Sequence, residues 1–100
     1  MTRRLYKLLV PDDVARLIRG LHPEIKQKLR AAMEQLLADP NAGKALQGEL
    51  EGLRSYRLGR FRLIYRMEED RTIAIIAFGP RATIYEHTYN LVIRESRDQG

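Results

Sequence analysis

Cysteine is absent from the sequence, and only two histidines occur, far apart at His22 and His87. The absence of cysteine excludes disulfides, thiolate nucleophiles and zinc–thiolate sites. Two distant histidines argue against a histidine-based metal site, so we expect no metal and no cofactor. No run approaches the roughly 18 apolar residues of a membrane-spanning helix, and the N-terminus lacks the apolar core of a signal peptide. We therefore expect a cytoplasmic protein that has no contact with a membrane.

Lysine is also scarce: of the 18 basic residues, 14 are arginine and 4 are lysine. The net charge is +5 and the pI about 9.9, which points to an anionic partner. A guanidinium presents a planar fork of donors that matches phosphate oxygens, whereas an ammonium is a point charge. The excess of arginine therefore favours phosphate recognition, although a GC-rich genome would enrich arginine codons equally well.

The first half of the chain predicts a strand followed by a helical hairpin. Residues 3–10 alternate as a strand, with Leu9 on the opposite face to Leu8. Pro11 begins a short helix that closes at Gly20. A second helix begins at Pro23 and ends before Asp39-Pro40-Asn41. The expected apolar residues of the two helices are Val14, Leu17, Ile18, Leu21, Ile25, Leu29, Met33, Leu36 and Leu37.

The second half predicts three strands and a last helix. After a looser segment at 42–51, strands 53–58 and 61–67 flank a tight turn at Gly59-Arg60. Residues 72–78 are apolar on both faces, as in a central strand, and end at Gly79-Pro80. The order β-α-α-β-β-β-α predicts an α+β fold: a small, mostly antiparallel sheet with an N-terminal helical hairpin packed on one face. We expect one domain over residues 1–95 and a disordered tail over 96–100.

The segment from Gly52 to Met67 contains five arginines and no acidic residue. Because alternate residues of a strand share a face, Arg60, Arg62 and Arg66 are expected to project together with Ile64. Such a row on an open sheet face suits a nucleic-acid backbone. The alternative is a solvated face balanced by the acidic residues at 68–70.

A second candidate element is Gly79-Pro80-Arg81, followed by Tyr85. The break places Arg81 at the end of the central strand, beside the strand that carries Arg62. Two guanidiniums and a phenol can cleave a phosphodiester without a metal, since arginines stabilise the charge on phosphate and tyrosine moves a proton. The alternatives are an ordinary core aromatic for Tyr85 and a solvated helix residue for His87. We interpret His22 as part of the turn between the helices.

Two motifs, at residues 46–66 and 79–85, resemble those of the RelE/ParE toxins. Residues 46–66 (LQGELEGLRSYRLGRFRLIYR) are similar to a family pattern in which a leucine and a small loop precede G-L-x-x-x-R-x-G-x-[FY]-R-[ILV]-[ILV]-Y. Residues 79–85 (GPRATIY) are similar to the G-x-R-x-x-[IV]-Y turn of RelE-like members. With the helical hairpin after the first strand, the resemblance covers nearly the whole chain.

The resemblance to RelE implies a metal-independent endoribonuclease toxin that cleaves mRNA in the ribosomal A site. In that reaction the RNA 2′-hydroxyl attacks its own phosphate. Its implied partners are the ribosome, mRNA and a cognate antitoxin. By motif, the implied catalytic residues are Arg62, Arg81, Tyr85 and His87, and the implied RNA-binding residues are Arg54, Arg57, Arg60 and Arg66.

One departure from RelE leaves the general base open. RelE has lysines before the hairpin where this chain has arginines such as Arg57, and arginine is too basic to accept a proton readily. Tyr85, Glu86 or His87 would then serve. Two other functions also remain open: a ParE-like, non-catalytic inhibitor of DNA gyrase, and a non-toxic family member that binds RNA. ParE-like members generally lack the Arg-x-x-[IV]-Tyr turn.

Overall fold

The computed structural model describes residues 6–99, which form a five-stranded sheet with helices on both faces. The strands are β1 (Lys7–Leu9), β2 (Lys44–Ala45), β3 (Arg54–Leu58), β4 (Phe61–Glu68) and β5 (Thr72–Pro80); the helices are α1 (Asp12–Arg19), α2 (Pro23–Ala38) and α3 (Arg81–Gln99). The strands lie in the order β1-β5-β4-β3-β2. Among the strands of residues 6–99, only β1 and β5 pair in parallel, so the predicted α+β class and mostly antiparallel sheet are confirmed.

The helical hairpin begins and ends where its prolines and glycine predict. Pro11 precedes α1 with a φ of −60°, and Gly20 caps its end. Pro23 is the first residue of α2. His22 caps this helix: its Nδ1 accepts a hydrogen bond from the backbone N–H of Glu24 at 3.2 Å. His22 thus belongs to the turn, as predicted, and also satisfies a backbone donor that the helix cannot satisfy itself.

The larger core lies between this hairpin and one face of the sheet. Leu17, predicted to belong to the apolar stripe of α1, is instead 47% exposed. Leu17 lies about 100° around the helix from Ile18, which packs against the core. Leu17 is therefore at the edge of the apolar face of α1. Residues 3–5 of the predicted first strand lie outside the described residues. The buried residues of this core are Val14, Leu29, Leu36, Leu63, Tyr65, Ile73, Ile75 and Phe78.

A buried phenol anchors the connection between α2 and β2 to this core. Tyr65 is fully buried, and its hydroxyl donates to the backbone carbonyl of Pro40 at 2.6 Å. The same oxygen accepts a hydrogen bond from the N–H of Gly43 at 3.0 Å. A Cβ on Gly43 would lie 2.6 Å from this oxygen, so the close approach requires glycine. The phenol therefore satisfies two buried backbone groups at once.

Helix α3 covers the other face of the sheet and forms a second, smaller core there. Ile84 packs against Leu53, Ile64 and Ala77. The expectation of an open arginine face is therefore wrong over the middle of the sheet, because a row that includes Ile64 needs an apolar cover. As predicted, residues 46 and 50 also anchor to a core, on this face. No helix within the described residues is long and apolar enough to cross a membrane.

The boundaries of α3 also differ from those predicted. Strand β5 continues through Pro80, and Arg81 is already the first residue of the helix. The helix continues through Gln99, whereas the sequence predicts a tail from residue 96. Polar residues do not end a helix, since its hydrogen bonds are made by the backbone. Gly100 lies outside the described residues.

Candidate active site

Two arginines lie side by side at one end of the sheet, on the face that α3 covers only in part. Arg57 of β3 is directly opposite Arg62 of β4, and Arg62 is opposite Gly79 of β5. Directly opposite residues of antiparallel strands have Cβ atoms about 4.5–5.5 Å apart, and like charges there repel. Gly79 contributes no side chain, and the Cδ1 of Ile84 lies over it, 3.2 Å from where a Cβ would stand. The arrangement is suited to an anion that neutralises both guanidiniums.

The guanidinium of Arg62 carries a donor without a partner. Its Nε is buried, and it has no hydrogen-bond partner among the described residues. A buried, unsatisfied donor costs about 1–3 kcal/mol, and more when the group is charged. A water-sized group does not reach this nitrogen, so a phosphate bound between Arg57 and Arg62 would meet the terminal nitrogens of the Arg62 guanidinium instead. The half-buried charge of Arg62 is stabilised by an anion beside it.

The first residue of α3 lies at the same end of the sheet. The backbone N–H of Arg81 donates to the carbonyl of Arg60 at 2.8 Å, which joins the start of the helix to the β3–β4 turn. The side chain of Arg81 is exposed. The N-terminal end of a helix also carries a partial positive charge. Arg57, Arg62, Arg81 and the helix terminus thus converge on one electropositive region.

A serine outside the candidate residues of the sequence holds the tyrosine of this region. The hydroxyls of Ser55 and Tyr85 lie 3.1 Å apart in a hydrogen bond. Ser55 is only 2% exposed and shares its sheet face with Arg57. The sequence feature that could have identified Ser55 is its position two residues before Arg57. A small polar residue there lies on the same sheet face as Arg57 and is oriented toward the same site. Together, Arg57, Arg62, Arg81, Tyr85 and Ser55 form the arginine–tyrosine site.

Arg54 lies on the other face of β3, with Tyr56 and Leu58, and its side chain has a structural role. Its Nε and one terminal nitrogen donate to the carbonyl of Gly43 at 3.1 and 2.7 Å. The same terminal nitrogen also donates to the carbonyl of Asn41 at 3.1 Å. These bonds occupy the guanidinium and direct it toward the α2–β2 connection. The structure therefore does not bring Arg54 together with Arg57 and Arg62.

Arg60 and Arg66 are also placed apart from the site. Arg60 is an exposed residue of the two-residue β3–β4 turn, which Gly59 enters with a φ of +58°. Arg66 pairs with Glu68 at 2.9 Å. It lies four residues beyond Arg62, a rise of about 13 Å along the strand at about 3.3 Å per residue. The expected continuous row of three arginines is thus divided by the apolar contact of Ile64 with α3.

His87 is exposed on α3. It follows Tyr85 by two residues, which is about 200° around the helix. The two side chains therefore leave opposite sides of α3, and the structure does not bring His87 into the arginine–tyrosine site. Within residues 6–99, no group of three or more His, Asp or Glu side chains is arranged to hold a metal ion.

Comparisons with known proteins identify the fold and the family. The family model of the ParE toxin of type II toxin–antitoxin systems (parDE) matches residues 6–85. A chain of the toxin–antitoxin complex RelBE2 from Mycobacterium tuberculosis is 30% identical, with a TM-score of 0.67; the match covers 76% of this chain and 98% of that one. A search of curated proteins gives no match.

Two more distant structures share the fold. A free arginine double mutant of the E. coli toxin RelE is 18% identical, with a TM-score of 0.71; the match covers 91% of this chain and 97% of that one. A chain of the archaeal RelE–RelB complex from Pyrococcus horikoshii is 22% identical, with a TM-score of 0.63; coverage is 77% of this chain and 96% of that one. These likenesses confirm the predicted RelE/ParE-like fold.

Proposed function

Since the chain belongs to the RelE/ParE superfamily of toxins from type II toxin–antitoxin systems, we propose that it is a metal-independent endoribonuclease that cleaves mRNA in the ribosomal A site. The observation that carries this proposal is the pair of directly opposite arginines, Arg57 and Arg62, at the end of the sheet where Arg81 begins α3. Both arginines of the pair stand where the family motif has arginine.

In the proposed reaction the RNA 2′-hydroxyl passes its proton to the phenol oxygen of Tyr85, and the 2′-oxygen attacks the adjacent phosphorus. The bond from phosphorus to the 5′-oxygen breaks, and that oxygen takes the proton that the phenol carried, so that the phenol is restored. The products are a 2′,3′-cyclic phosphate and a 5′-hydroxyl. Arg57 and Arg62 hold the non-bridging oxygens, whose negative charge increases in the transition state. Arg81 stabilises the same charge from the start of α3.

Tyr85 is the proton-transfer residue of this proposal. Arginine is too basic to serve as a base, and His87 leaves the opposite side of α3. The phenol of Tyr85 is held by Ser55 at 3.1 Å, so its position is fixed before substrate binds. A positioned proton-transfer group contributes about 10²–10⁴-fold to a rate.

Primer extension on a reporter mRNA in a reconstituted bacterial translation system tests the proposal. We expect cuts within codons that appear only when ribosomes translate the message. Arg62→Ala, Arg81→Ala and Tyr85→Phe should each reduce cleavage by at least about 10²-fold. Arg16→Ala, an exposed change on α1 beyond the other face of the sheet, is the matched control. Intact mRNA with the wild-type chain, or equal loss in the Arg16 variant, would contradict the nuclease.

The partner and location follow from the same proposal. One structural relative at 30% identity is a chain of a toxin–antitoxin complex, which supports a cognate antitoxin as the partner of this toxin. The positive charge at Arg57, Arg62 and Arg81 is complementary to an acidic antitoxin segment. A toxin that acts on translating ribosomes works in the cytoplasm.

Inhibition of DNA gyrase is the second candidate function, because the matching family model is that of ParE. Such an inhibitor binds its target without catalysis. A supercoiling assay separates the two functions. If the chain inhibits gyrase, and Arg81→Ala and Tyr85→Phe both retain that inhibition and toxicity, the non-catalytic function is correct.

A further inference from the structure

A groove on the opposite side of the β3–β4 turn combines positive charge with apolar surface. It has a volume of about 290 Å³, close to the lower end of the roughly 300–1,000 Å³ of ligand pockets. Its lining contains two cations and no acidic residue. The residues of this hairpin groove are Ile25, Lys28, Leu58, Gly59, Arg60 and Phe61.

The hairpin groove adjoins the arginine–tyrosine site through a single residue. Arg60 lines the groove, and its carbonyl accepts a hydrogen bond from the N–H of Arg81 at 2.8 Å. Lys28 therefore continues a line of cations that runs from Arg62 and Arg81 over the turn. A polyanion that binds at Arg62 and extends over the turn meets Arg60 and then Lys28.

The apolar part of the groove suits a nucleobase. Phe61 is half-buried, and its ring stacks on Phe78 with centroids 5.3 Å apart and planes 14° from parallel. The orientation of the Phe61 ring is therefore fixed. Single-stranded nucleic acids bind where cations follow the backbone and aromatic or apolar surfaces contact the bases. An acidic peptide would use the cations and gain little from the ring.

We propose that the hairpin groove binds the single-stranded RNA flanking the cleaved phosphate, with Lys28 and Arg60 on its backbone and Phe61 against a base. The identity of the ligand as RNA rests on the proposed nuclease function. The groove extends the substrate contact beyond the arginine–tyrosine site to a second face of the molecule. It makes Lys28, which lies outside both sequence motifs, an RNA-binding residue.

Fluorescence anisotropy with a labelled, fully 2′-O-methylated RNA decanucleotide tests this, because the probe cannot be cleaved. Lys28→Glu should weaken binding about tenfold, and loss of one phosphate contact should reduce the slope of log K against log salt by about 0.7. Arg30→Glu is the matched control, since it changes the net charge equally but lies about 200° around α2 from Lys28. Phe61→Leu should weaken binding while leaving the salt slope unchanged.

The outcomes distinguish failure of RNA binding in the hairpin groove from failure of the proposed nuclease function. Equal affinities and salt slopes for Lys28→Glu and Arg30→Glu would overturn the proposal that RNA binds in the hairpin groove. The nuclease function would not be affected by that result, because the primer-extension assay tests it separately. A specific loss for Lys28→Glu supports RNA binding in the groove even if no cleavage is found. If Lys28→Glu abolishes binding of a polyglutamate peptide but leaves RNA affinity unchanged, the groove binds an acidic protein segment and the proposal is wrong.

Discussion

Removing the hydroxyl of Tyr65 should destabilise the fold far more than its single atom suggests. Tyr65→Phe deprives two buried backbone groups of their partner, the carbonyl of Pro40 and the N–H of Gly43. Each unsatisfied buried group costs about 1–3 kcal/mol. Because the neighbouring residues of this connection are exposed and allow partial rehydration, we expect a total of about 2–4 kcal/mol. A domain of this size has about 5–15 kcal/mol in all.

Urea unfolding followed by circular dichroism measures this loss. The midpoint should fall while the m-value stays the same, since the surface exposed on unfolding is unchanged. In thermal unfolding, at about 4–8 °C per kcal/mol, the Tm should fall by about 8–30 °C. Tyr56→Phe is the matched control, because Tyr56 packs on the same core and its hydroxyl makes no hydrogen bond among the described residues. It should change stability by less than about 0.5 kcal/mol. Equal stability of the two variants would refute the reasoning.

Three further predictions follow from other contacts. Ser55→Ala should leave folding intact and release the phenol of Tyr85 from its hydrogen bond. Cleavage in the primer-extension assay should then fall about tenfold and be restored by Ser55→Thr. Unchanged cleavage would show that the hydrogen bond is not needed. Arg71→Gly should raise the urea midpoint, by up to about 1 kcal/mol of stability, because Arg71 has a φ of +56° that glycine adopts without strain; a lower midpoint would contradict this. Gly43→Ala should cost about 1–3 kcal/mol by displacing the hydroxyl of Tyr65, and its combination with Tyr65→Phe should be less than additive in the same unfolding assay.

Prolines and glycines at the ends of helices and strands made most of the fold predictable. Pro11 and Pro23 mark helix starts because their fixed φ suits the first turn, and Gly59 marks the hairpin because its turn needs a positive φ. Alternation also assigned the faces of β4 correctly at Leu63 and Ile64, which enter different cores. These features depend on a few neighbouring residues, and for that reason the sequence alone predicts them.

The position of α3 was not predictable in the same way. Its apolar residues fall on several sides of the helix, and only tertiary packing decides which face of the sheet it covers. Ile64 was the available signal, because an isoleucine among arginines on an open face would be exposed. Two further signals were present in the sequence. The alternation of β3 places Arg54 on the face of Tyr56, opposite to that of Arg57, and the helical period places His87 on the opposite side of α3 from Tyr85. The bond between Ser55 and Tyr85 joins residues 30 positions apart, which no local pattern reveals.

The pairing of the first strand with the last has a consequence for synthesis. Lys7 of β1 pairs with Thr72 of β5, 65 residues later in the chain. Strand β1 therefore has no partner until β5 has been synthesised, and Arg81 and Tyr85 follow β5 in the chain. Contacts of such long sequence separation form slowly. A nascent chain that ends before Tyr85 consequently has neither the closed sheet nor the complete arginine–tyrosine site.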